Sequence, residues 1–138
     1  MARKRVIDVT TATRTLSRNE NGSIVVLNRG AGITVTLPSA GRGLEFQFVV
    51  KANGAYTIDA GTDKIRGALL QSQNNVASRS FTANPASHVK IVMGGATTQT
   101  GGLVGTNITL TCDTDGIWTA SGSSVATTAA TATTPFTT

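Results

Sequence analysis

One histidine and one cysteine, His88 and Cys112, are the side chains of this 138-residue sequence best suited to proton transfer or nucleophilic attack. A Ser-His-Asp set around His88 would support acyl transfer, because the imidazole takes the serine proton while a carboxylate holds its tautomer. No Gly-x-Ser-x-Gly turn is present to expose a serine, and Cys112 alternates with Ile108 and Leu110, where a packed thiol is expected. Asp113-x-Asp115-Gly116 opens like a calcium loop, but no Asp or Glu follows Asp115 to complete the oxygen shell, so a tight hairpin turn is the better reading. Asp59, Asp63 and Lys64 read as a solvated turn with a local ion pair. Gly101-Gly102-Leu103-Val104-Gly105 lacks the Gly-Lys-Ser/Thr ending and the following helix that a phosphate cradle needs. The expectation is therefore a non-enzymatic protein with no catalytic residue, cofactor or metal.

Charge gives a different lead. Twelve Lys and Arg against seven Asp and Glu leave a formal charge of +5, a modest bias toward acidic partners. The cations cluster once, at Arg3, Lys4 and Arg5, and are otherwise spaced singly, with none after Lys90. Three charges give only weak phosphate binding, and the few aromatic residues lie in strand-like runs rather than on a stacking platform, so nucleic acid is not expected. A strap lying on an acidic protein surface is the favoured reading of the cluster. With one cysteine, an internal disulfide cannot form. The first sixteen residues contain no apolar run suited to a secretory signal, and nothing approaches a membrane span; a cytoplasmic origin and no membrane partner are expected.

The elements that must position these groups read as strands. Charged residues make up only 14% of the chain, and Thr, Ser, Asn and Gly carry its polarity, a composition that favours strands and turns over helices. Residues 23–27 form an apolar run between Asn21-Gly22 and Asn28-Arg29-Gly30. Ile33, Val35 and Leu37 alternate with Thr34 and Thr36, and Pro38 ends the run. Leu44, Phe46, Phe48 and Val50 share one face of the strongest strand. Asn53-Gly54 then predicts a hairpin into Tyr56-Thr57-Ile58-Asp59. Residues 71–85 lack periodicity and read as a long loop; strands at 88–93 and 108–112 follow, and Ile117-Trp118-Thr119 closes the body. Seven to nine short strands predict an all-β fold, an antiparallel β-sandwich or jelly-roll-like body, and no fixed repeat suggests a solenoid.

Three zones result: an N-terminal arm at residues 1–18, a β-rich body at 19–122, and a low-complexity C-terminal arm at 123–138. The last is nearly all Ala and Thr and cannot order itself in isolation, so another subunit is expected to pack over the extended ends.

Several phrases of the body carry a resemblance. They are Gly32-Ile33-Thr34-Val35-Thr36-Leu37-Pro38, Gly43-Leu44-Glu45-Phe46-Gln47-Phe48-Val49-Val50, Tyr56-Thr57-Ile58-Asp59 with Asp63-Lys64-Ile65-Arg66-Gly67, and Ile108-Thr109-Leu110 through Asp115-Gly116-Ile117-Trp118. In this order they resemble the small β-rich decoration, or cement, proteins of tailed-bacteriophage heads, whose relatives also occur as tail-fibre modules. The resemblance implies a homotrimer on the outer capsid surface of the virion, bound to the major capsid protein and stabilising contacts between its copies, with no active site. The candidate capsid-contact residues are Arg3, Lys4, Arg5, Val6, Ile7, Arg14, Arg18 and Phe136, with Val6-Ile7-Asp8-Val9 able to add a strand to a neighbour's sheet. The alternative function is a tail-fibre or receptor-binding module that uses the loop at 71–86.

Overall fold

The structure is a computed structural model that describes residues 3–73, 76–97, 99–127 and 132–138. Twelve strands follow in chain order: β1 (Val6–Val9), β2 (Thr13–Thr15), β3 (Ile24–Leu27), β4 (Ile33–Thr36), β5 (Glu45–Val50), β6 (Tyr56–Asp59), β7 (Lys64–Gln73), β8 (Val76–Thr82), β9 (Lys90–Met93), β10 (Asn107–Thr114), β11 (Ile117–Ala126) and β12 (Phe136–Thr137). Their only helical companions among the described residues are short 3-10 turns at Arg18–Glu20 and Gly95–Thr97. A seven-stranded sheet runs β1-β3-β5-β10-β11-β7-β8 and a five-stranded sheet runs β12-β9-β6-β4-β2. Residues from both contribute to one hydrophobic core, as in a β-sandwich.

The expected all-β class and its buried faces hold. Phe46, Phe48 and Val50 are buried along β5, as are Ile33 and Val35 on β4 and Ile108, Leu110 and Cys112 on β10. Alternation works here because side chains leave a strand on opposite faces at a period of two. Asp113 to Gly116 also makes the expected turn, with β10 and β11 paired antiparallel across it.

The expected antiparallel pairing needs correction, since the sheets are mixed. From β1 to β6 each strand lies in the opposite sheet to the one before it and pairs in parallel with the strand two earlier. The N-terminal half is thus a coil wound through both sheets, in the manner of a short β-solenoid. Its rungs are unequal: Val6 pairs with Ile24, Thr13 with Thr34, Ile24 with Gln47 and Ile33 with Tyr56, offsets of 18, 21, 23 and 23 residues. Unequal rungs leave no fixed period in the sequence. The Asn53-Gly54 hairpin is overturned for the same reason, because β5 and β6 belong to different sheets and do not pair. Instead the Tyr56 hydroxyl bonds to the Ala52 carbonyl and lies 3.2 Å from that of Arg29, tying the β5–β6 connection to the β3–β4 connection of the preceding turn of the coil.

The second half closes this coil. β9 lies antiparallel between β6 and β12, β10 lies antiparallel between β5 and β11, and β7 runs parallel to β11 before turning into β8. Gly67 lies where β7 meets β11, with φ +100° and its α-carbon facing the Ala120 carbonyl so closely that a Cβ would collide with it. The loop expected at 71–85 is mostly the β7–β8 pair. Alternation was hidden there because Gln71 and Gln73 occupy inward positions that an apolar pattern would fill. The Gln73 side chain bonds to the Thr127 carbonyl at 2.6 Å and to Gln99 Oε1 at 2.9 Å, an amide network where the end of β11 meets the loop after β9.

Both expected arms are corrected. Val9 and Leu16 are buried in the common core, and β1 and β2 are the edges of the two sheets. Residues 123–126 continue β11, Ala132 and Phe136 are buried, and β12 pairs with β9. In the described residues of both ends, the packing surface belongs to the same chain. The boundaries at 18 and 122 fall inside a single packed unit.

Candidate interaction surface

The first turn of the coil brings most of the candidate contact residues to one side. Arg3, Lys4 and Arg5 are exposed and lead directly into β1, one of the two edges of the seven-stranded sheet. The Ile24 amide donates to the Arg5 carbonyl at 2.8 Å and the Asn28 amide to the Val9 carbonyl at 3.0 Å. In a parallel ladder the bonding residues alternate, so Ile7 and Val9 face β3 while the amides and carbonyls of Val6 and Asp8 point to the open edge. The Val6 side chain is 60% exposed, and its register places it beside the half-buried Ile24 on the outer face. Val26 and Val49 extend this apolar outer patch across β3 and β5. Ile7 is half-buried and packs against the core from the other face.

Charge is unevenly satisfied on this side. Lys4 lies 3.7 Å from Glu45, with both side chains about half exposed, so their attraction is weak. Arg5 reaches the Asn19 carbonyl at 3.4 Å, and neither it nor Arg3 has a carboxylate within ion-pair distance among the described residues. Two guanidinium groups at an open strand edge can take carboxylates of an incoming chain in bidentate fashion.

The remaining candidates have other duties. Arg14, paired in register with buried Val35, forms an ion pair with Glu20, while the Ser17 amide donates to the same carboxylate at 2.9 Å. Burial of the Glu20 carboxyl opposes ionisation, but the Ser17 amide, the Arg14 charge and hydrogen bond, and the Ser17 hydroxyl outweigh it and hold the group below its ordinary value of 4.5. A folded-state value below the unfolded one contributes stability that is present above about pH 4.5 and is lost as pH falls through the folded-state value. Replacing Arg14 with glutamine should therefore lower stability throughout neutral and alkaline pH, and the difference from the parent chain should shrink as Glu20 becomes protonated in acid, which urea titrations at a series of pH values measure. Arg18 donates to the Ser39 carbonyl at 3.1 Å and lies against Gly41, bracing a loop. Phe136 is 3% exposed and stacks on His88 with ring planes 8° apart, so it belongs to the core edge and not to a contact surface.

The groups weighed for chemistry are held in structural contacts. His88 Nδ1 accepts from the Asn84 amide at 2.9 Å. Cys112 is buried, which pushes its thiol up, and its Sγ lies 3.1 Å from the Thr114 carbonyl. Asp113 pairs with Arg66, and Asp115 accepts from the Arg42 amide at 3.0 Å. Asp59 and Asp63 accept from the amides of Gly61 and Ala40, at 2.8 and 2.7 Å, in place of the expected pairing with Lys64. No group of three metal-ligating side chains occurs among the described residues.

Sequence reasoning located the basic cluster and the Val6 to Val9 strand but not their setting. The Val6 to Val9 strand, expected to be able to join a neighbour's sheet, is itself the edge strand of the chain's own seven-stranded sheet. Comparison with known protein families, curated proteins and solved structures returns no match for this chain.

Proposed function

We propose that this chain is a structural decoration protein that binds the outer surface of a phage head, holding neighbouring copies of the major capsid protein together through the β1 edge. The observation that carries the reading is the juxtaposition, at one open strand edge, of the exposed Val6 and its apolar neighbours with Arg3 and Arg5, which have no carboxylate partner among the described residues. Such an edge suits an extended segment of alternating apolar and acidic residues, which gains main-chain hydrogen bonds from β1 and ion pairs from the arginines. The family resemblance of the body supplies the identity of the partner, and a virion location follows from it. Several attachments on one shell would multiply the effect of individually weak contacts.

The test is binding of the purified protein to empty shells assembled from the major capsid protein made with it. Reversing the cluster, with Arg3→Glu, Lys4→Glu and Arg5→Glu together, should weaken shell binding about tenfold or more while the circular dichroism spectrum and melting curve stay as they were. Unchanged binding would sink the role given to this edge. The exposure of Ala77 to Ser80 on β8 favours the second reading, a tail-fibre or receptor-binding module. Attachment of the isolated protein to host cells, without attachment to shells, would decide for it.

A further inference from the structure

We propose that β8 is a self-pairing edge, through which two copies of this chain join antiparallel about a two-fold axis at Phe81. The four sheet edges are not alike. β12 and β2 have two and three residues, and β1 has four with an exposed carboxylate, Asp8, on its outer face. β8 has seven residues, of which Ala77 to Ser80 and Thr82 are exposed. Natural sheets guard long edges with lysine, proline, charge or bulges. β8 carries no lysine or proline and one charge, Arg79; its register shift, between Gln71 and Gln73 on β7, lies toward the turn and leaves residues 79–82 regular.

The backbone fixes which groups are open. The Ala83 amide donates to the Gly67 carbonyl at 2.9 Å, and Leu69 faces Phe81 in register. Residues 79, 81 and 83 therefore bond toward β7, and Ser80 and Thr82 point their amides and carbonyls outward. Phe81 is half-buried against the core on the inner face, while Leu70, opposite Ser80, is 47% exposed on the outer face.

These features make the edge complementary to itself. With the axis at Phe81, Ser80 of each copy faces Thr82 of the other in two hydrogen-bonded hydroxyl pairs, and the two Phe81 rings meet, covering the aromatic surface that the core leaves open. Arg79 falls opposite Ala83, so no like charges oppose one another, which is the charge condition an isologous contact must meet. The two seven-stranded sheets then run on as one.

Sedimentation and light scattering of the full chain over a range of concentrations test the pairing. The expected particle has twice the 14.1 kDa chain mass and dissociates on dilution. Ser80→Pro removes an outward amide without touching the β7 ladder, and should raise the dissociation constant about tenfold or more while the melting curve holds. Ser80→Cys and Thr82→Cys chains provide a second readout that does not depend on tolerance of proline. A hydrogen-bonded pair places its Cα atoms within disulfide range, so the two variants should cross-link when mixed and far less when either is oxidised alone. A single-chain particle at the highest soluble concentration overturns the proposal. So does a two-chain particle indifferent to Ser80→Pro, or a three-chain particle, the assembly that the family resemblance implies. The pairing does not depend on the capsid reading, and loss of shell binding would leave it intact.

Discussion

Deleting residues 1–18 is expected to unfold the protein rather than trim a tether from it. The deletion removes β1 and β2, and with them one edge of each sheet. It withdraws Val9 and Leu16 from the core, where they are 3% and 2% exposed, and such side chains stabilise by about 1.5–3 kcal/mol each when buried. It also leaves the amides of Ile24, Asn28 and Thr34 without their acceptors on Arg5, Val9 and Ala12. Together these losses come to about 5 kcal/mol or more, comparable with the entire stability of a typical domain at about 5–15 kcal/mol. Urea titration followed by circular dichroism and by fluorescence of the sole tryptophan, Trp118, measures it. A truncated chain that unfolds cooperatively at the full-length midpoint would show that the first coil is dispensable. Loss of shell binding in this deletion would therefore say nothing about contacts, which is why the charge reversal at Arg3, Lys4 and Arg5 is the informative variant.

The second large effect is expected at Trp118. Its side chain is fully buried on β11, with the Phe46 ring 6.1 Å away and tilted by 51°, and it is the largest side chain in the core. Trp118→Ala removes the ring and leaves a cavity in a core whose strands are fixed by their ladders, a change that costs about 3–5 kcal/mol. Among the described residues the buried indole Nε1 has no hydrogen-bond partner, so the tryptophan already carries a desolvation penalty. Trp118→Phe keeps most of the apolar contact and removes that orphaned donor. It should be clearly milder than the alanine variant in the same urea titration, and an equal or greater loss would show that the packing around the indole is not what holds this site.

The two effects draw on different kinds of information in the chain. That Phe46, Phe48, Ile108 and Leu110 face inward could be read from alternation, and the turn at Asp115-Gly116 from its residue types, because both are local properties of a strand and its ending. The basic cluster at Arg3 to Arg5 was legible for the same reason. Alternation names the buried face of a strand without naming the strand beside it. The choice between a hairpin at Asn53-Gly54 and a crossing into the other sheet is decided by partners far along the chain, β3 for β5 and β4 for β6.

Polar residues hid other parts. Gln71 and Gln73 point inward, and an Ala/Thr-rich tail ends in a buried phenylalanine, because the hydrogen-bond partners and apolar neighbours that make these placements favourable arrive from Gln99, Thr127, His88 and Ile91. Composition and local alternation alone specify an all-β chain with one buried face per strand and a basic start. The tertiary structure decided that this start is the outer turn of a coil with an open edge, since an edge exists only once every other strand has found its neighbour.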